Sequence, residues 1–125
     1  MKKLLQVLIA LPGILFLFLG IRWIIDPEKA ANALGMPLLD GIGRSTQVGD
    51  MTAFFLSVGF LIFGGLITAK RVWFYAPVMM LGLAACFRVV AWIVHDAALA
   101  IALIAPEIII AALLYFASAR ICERD

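Results

Sequence analysis

Long apolar runs, each broken by very few polar residues, dominate the chain. Leu4 to Ile25 carries only Gln6 and Arg22 as strongly polar interruptions. Further runs extend over Val48 to Ala69, Val72 to Val94 and Ala97 to Ser118. At a rise of ~1.5 Å per residue, each is long enough to cross a hydrocarbon core of ~30 Å. The pattern predicts four transmembrane helices in a single domain over residues 1–125.

The polar segments between the runs predict how the spans connect. Asp26 before Pro27 reads as an N-cap with proline at the first helical position, and Glu28 in the first turn suits the helix dipole. Gly35 ends that short helix, which is expected to lie near the membrane surface. Pro37 and Asp40-Gly41 then turn the chain back. The segment from Asp26 to Gln47 is the one sizeable loop. Residues 70–71 and 95–96 leave so little chain that the second, third and fourth spans are expected to be antiparallel neighbours. The predicted fold is an all-α, antiparallel bundle of four transmembrane helices, with a short interfacial helix between the first two.

Composition removes the other classes. Of 125 residues, 66% are hydrophobic and 14% charged, against about 45–50% and 25% in soluble domains. A chain this short has too little interior to hide so much apolar surface. The mean hydropathy of +1.13 therefore excludes a soluble globular domain, a disordered chain and a disulfide-stapled secreted domain. The net charge of +2 is spread singly or in pairs between apolar runs, so no nucleic-acid footprint is formed.

Charge also gives an orientation. Lys2, Lys3, Lys70, Arg71, Arg120 and Arg124 fall on one side of the predicted topology. Arg22, Lys29 and Arg44 fall on the other, diluted by Asp26, Glu28, Asp40 and Asp96. The positive-inside rule then places both termini in the cytoplasm and the 26–47 loop in the periplasm of a bacterial inner membrane. Trp23 and Trp92 are expected as outer interfacial anchors, and Trp73, Tyr75 and Tyr115 as inner ones. Lys2 and Lys3 before an apolar run resemble a secretory signal, but the run exceeds an h-region of roughly 7–15 residues. The first span is expected to be retained.

In lipid, helices associate through small residues and interhelical hydrogen bonds. The stripes expected to face inward are Gln6, Ala10, Gly13 and Gly20; Asp50, Ala53, Ser57, Gly64 and Thr68; Ala84, Arg88, Ala91 and His95; and Ala100, Glu107, Ala111 and Ser118. Ionisable groups inside a membrane are expensive, and so draw a functional reading by default. Measured from the outer helix ends at ~1.5 Å per residue, Arg88 is expected ~9 Å deep and Glu107 ~15 Å deep. Asp50 is expected above them, His95 two turns above Arg88, and Arg44 closing the top. Arg44, Asp50, Arg88, His95 and Glu107 form the candidate polar cluster, read either as a register-fixing clamp or as a ligand pocket. Pro106, beside Glu107, removes one backbone hydrogen bond. Arg22, opposite the small stripe of its helix, is expected to snorkel.

One histidine cannot ligate a haem from both sides, and no metal site or cofactor is implied. Cys86 and Cys122 lie too far apart in depth to bond to each other. No catalytic residue is assigned.

The stretch Asp26-Pro27, Leu34-Gly35-Met36-Pro37 and Arg44, with Gly49-Asp50, Arg88 and Glu107, resembles a family of small bacterial membrane proteins without assigned chemistry. More loosely, it is similar to the DoxX-like group. The resemblance implies a four-helix integral membrane fold and groups Arg44, Asp50, Arg88 and Glu107 together. It implies no catalytic residue. The leading functional expectation is a pocket for a lipid, isoprenoid or other amphipathic molecule, or an accessory subunit of a membrane complex. An oligomeric transporter or channel, and a membrane isomerase using Glu107 and His95 as acid and base, are the alternatives. Membrane lipids, a second copy of the chain or a larger membrane complex are the expected partners.

Overall fold

A computed structural model describes residues 1–122, and the described residues hold five helices and no strand. They are α1 (Lys2–Ile25), α2 (Pro27–Ala33), α3 (Gly41–Thr68), α4 (Val72–Val94) and α5 (Ile101–Ile121). All but α2 are long and apolar enough to cross a membrane. The protein is a multi-pass membrane bundle.

The helices close into a ring: α1 packs on α3, α3 on α4, α4 on α5, and α5 back on α1. An ideal Cβ on Gly13 would meet Ile62 and Phe63, while Gly20 faces Leu56 and Gly59 faces Leu17. Ascending positions on α1 meet descending ones on α3, so the pair is antiparallel. Arg71 on Ser118 and Arg88 on Glu107 show the same for α4 and α5. The start of α1 and the end of α5 therefore share one end of the bundle, and α2 lies at the other.

Local chemistry sets the connections. Asp26 caps α2 by accepting from the Lys29 N–H at 3.4 Å, and Pro27 needs no N–H in that first turn. Gly35 takes φ +78°, a left-handed conformation suited to glycine, and Met36 N–H donates to Ala31 O at 2.9 Å. The link to α3 is then pinned by one side chain. Gln47 is buried, donates to Pro37 O at 3.0 Å and accepts from the Leu39 N–H at 2.8 Å. At the terminal end, Arg71 donates to Tyr115 O at 2.8 Å and lies over the rings of Tyr75 and Tyr115. This ties the start of α4 to the last turns of α5.

The membrane-type core consists of Ile9, Phe16, Val58, Ile62, Phe74, Leu81 and Leu114 with smaller neighbours. Its closest seam is reciprocal. Leu17 and Gly20 on α1 oppose Gly59 and Leu56 on α3, each leucine filling the space that the opposite glycine leaves. Glycine at both places lets the backbones approach, which is how helix pairs gain packing energy in lipid.

Three expectations are corrected here. The third helix in chain order, α3, starts at Gly41 rather than Val48, and α5 at Ile101 rather than Ala97, so the connection after α4 spans residues 95–100. Trp23 is not an interfacial anchor. It is 1% exposed and packs with Ala30 and Ala31, because α2 folds back over the end of α1. Trp92, Trp73, Tyr75 and Tyr115 are exposed. The small stripe of α3 faces inward only at Gly64, which packs on Trp73 of α4: Asp50, Ala53, Ser57 and Thr68 are exposed, while Gln47, Val58, Gly59, Ile62 and Gly65 are buried. At ~100° per residue the true interior face lies roughly a third of a turn away.

Candidate functional site

Arg88 stands six residues before the end of α4 and Glu107 six residues after the start of α5. Each therefore lies ~9 Å in from the α2 end of its helix. The greater depth expected for Glu107 came from starting its helix four residues too early. Level placement lets the two meet: Arg88 Nε donates to Glu107 Oε1 at 2.9 Å. The Glu107 side chain is 14% exposed and that of Arg88 33%. Pairing is physically required at this depth, because an isolated charge in an apolar surround is strongly disfavoured.

The contact is side-on rather than a two-pronged fork. A guanidinium carries five N–H donors, and only Nε is engaged with the carboxylate. Among the described residues, the terminal nitrogens of Arg88 and Oε2 of Glu107 have no hydrogen-bond partner.

Two adjoining cavities meet at this pair. The smaller, about 120 Å³, lies toward α1 and α5 and includes Leu15, Leu19, Leu103, Pro106 and Ile110. The larger, about 250 Å³, lies toward α3 and α4 and includes Met51, Phe54 and Ala84. Both are bounded by Phe16, Leu34, Phe55, Arg88 and Glu107. Phe16 and Phe55 stack with ring centroids 5.8 Å apart. Leu34, at the end of α2, joins from the surface loop. The arrangement is one ion pair in an otherwise apolar chamber, which suits a molecule with a large apolar body and a few polar atoms.

The rest of the expected cluster is not assembled. Arg44 donates to Asp40 Oδ1 at 3.1 Å and to Leu39 O at 2.8 Å, so it belongs to the link before α3 and does not cover the pair. The i,i+4 spacing of Asp40 and Arg44 explains the preference. Asp50 is exposed, makes no ion pair among the described residues and is not a second partner of Arg88. In the antiparallel register of α1 and α3 it lies level with the end of α1, where water can solvate it. His95 caps the end of α4, is exposed and lines neither cavity.

Sequence reasoning missed the apolar liners, Phe16 and Phe55 above all. The signal was present for Phe16, which lies three residues after Gly13 and four before Gly20 on the helix face named as inward. It also missed Gln47 and Arg71 as structural pins. Thr52 carries a buried hydroxyl without a hydrogen-bond partner among the described residues, outside both cavities.

No protein-family model, curated protein or solved structure matches the chain.

Proposed function

We propose that this chain is a small bacterial inner-membrane protein that holds an amphipathic ligand, such as a lipid or isoprenoid, at the Arg88–Glu107 pair. One observation carries the reading: a single ion pair, with hydrogen-bonding capacity left over, in the shared wall of two apolar cavities. A pair serving only to fix register would favour a two-pronged contact closed off by packing. Here its polar atoms border open space.

The orientation belongs to the same proposal. The terminal end of the bundle carries Lys2, Lys3, Lys70, Arg71 and Arg120, whereas the α2 end mixes Arg22, Lys29 and Arg44 with Asp26, Glu28, Asp40 and Asp96. This asymmetry supports cytoplasmic termini and a chamber in the periplasmic half of the membrane. Membership of the DoxX-like group rests on the residues quoted above and is likewise proposed.

Acid–base catalysis by Glu107 with His95 finds little support, since His95 lies outside the chamber. Conduction through one copy finds little either, because Ile9, Val58, Ile62, Phe74, Leu81 and Leu114 fill the bundle core. Native mass spectrometry in mild detergent tests the binding reading. The expected result is a stoichiometric small-molecule adduct on the unaltered chain, and only bare protein across several mild detergents would refute it.

A further inference from the structure

We propose that the ligand of the Arg88–Glu107 site is an uncharged amphiphile with a hydroxyl head group, a long-chain or cyclic alcohol. The inference rests on the binding reading above and names the chemical class that the site accepts.

Charge comes first. The pair carries no net charge as a unit, and the walls around it are Leu, Phe, Ile, Met and Pro. A ligand bringing a net charge must desolvate it in that apolar surround beside a pair whose two charges already offset each other, so the complex is left with a net buried charge, which is disfavoured. An anionic head would also lie against Glu107, and a cationic one against Arg88. The site thus selects against both signs.

Hydrogen bonding then narrows the neutral candidates. Nε of Arg88 is taken by Oε1 of Glu107, which leaves donors on the guanidinium and an acceptor, Oε2, on the carboxylate. A hydroxyl oxygen accepts from the first while its proton goes to the second. One atom thereby satisfies both halves of the pair. An ether, ester or ketone accepts but cannot donate, and leaves Oε2 without a partner.

Size is consistent with a modest apolar body. A cavity of ~150 Å³ with similar walls holds benzene. By that scale the 250 Å³ lobe takes about ten non-hydrogen atoms.

The test uses four photoreactive probes with one decyl chain and an identically placed diazirine: the alcohol, its methyl ether, the sulfonate and the trimethylammonium. Each is added to the full chain in phosphatidylcholine nanodiscs, irradiated, and the labelled residues are mapped by mass spectrometry. The alcohol is expected to label Met51, Phe54 and Phe55, which line the larger lobe, about tenfold more than each of the other three, the effect of one charge-assisted hydrogen bond. Equal or stronger labelling there by the sulfonate or the ammonium overturns the uncharged class but leaves the binding reading standing. Equal labelling by the ether overturns the two-sided hydrogen bond. If none of the four labels these residues, and only lipid-facing Phe60 and Ile67 react, the binding reading itself falls and this inference with it.

Discussion

Removing one member of the Arg88–Glu107 pair should expose how much the bundle depends on it. A fully buried ion pair costs about 3–5 kcal/mol when one partner is removed, because the other charge is left unpaired. Here the Arg88 side chain is a third exposed and the contact is a single hydrogen bond at 2.9 Å, so about 2–3 kcal/mol is the proper expectation. Arg88→Met strands the less exposed carboxylate and should be the more damaging change. Glu107→Gln strands a guanidinium whose terminal groups already border open space. The double variant removes both charges and should recover about 1–2 kcal/mol relative to the sum of the singles. Reversible unfolding in mixed micelles, followed by tryptophan fluorescence, gives the four stabilities of the cycle. Trp23, buried at the α1–α2 contact, reports on the same end of the bundle. Strict additivity of the two single changes would refute the reasoning, since a formed pair must couple them.

Three further outcomes follow from the packing, the loop and the charge asymmetry. Gly59→Ala puts a Cβ 2.6 Å from Leu17 Cδ2 and 3.1 Å from its backbone nitrogen, so thermal stability in detergent should fall by about 1–3 kcal/mol. Gly49→Ala meets nothing within 4 Å and should stay within about 0.5 kcal/mol of the parent or gain from helix propensity. Gln47→Leu removes both pins of the 37–39 segment, at about 1–3 kcal/mol for the unsatisfied groups, and hydrogen exchange there should accelerate without change in α4. A cysteine at position 29 should react with an impermeant maleimide from the periplasmic side and one at position 70 should not; the reverse labelling would invert the proposed topology.

The spans were legible because hydropathy in lipid is a composition signal that packing details do not disturb. The Asp26-Pro27 start and Gly35 stop of α2 were legible for a similar reason, as capping is decided by neighbouring residues. Arg88 and Glu107 could be paired from sequence because each charge at that depth needs a partner and few are present. The rotation of α3 was not legible. Small residues mark its outward side as well as its inward one, and the seam is chosen by the reciprocal Leu17–Gly59 and Leu56–Gly20 contacts, which require both helices at once. Asp50 was therefore turned inward in the expectation, whereas it is exposed. Arg44 was drawn to a distant group although Asp40, one helical turn away, was the nearer partner. The burial of Trp23 depends on how α2 docks, which a seven-residue helix does not announce. The cavities are similarly a product of four helices meeting, so no single stretch of sequence encodes them.

Ala84→Phe offers the most direct test of the ligand chamber. Ala84 lines the 250 Å³ cavity and is half-buried, so the added ring occupies ligand space while leaving Arg88 and Glu107 in place. Filling an empty cavity commonly stabilises by about 0.5–2 kcal/mol, and the variant should purify and unfold like the parent. Native mass spectrometry of the two proteins side by side should show the small-molecule adduct on the parent reduced about tenfold or lost in the variant. An undiminished adduct on a well-folded Ala84→Phe protein would contradict the account, because a ligand held elsewhere has no reason to notice that cavity.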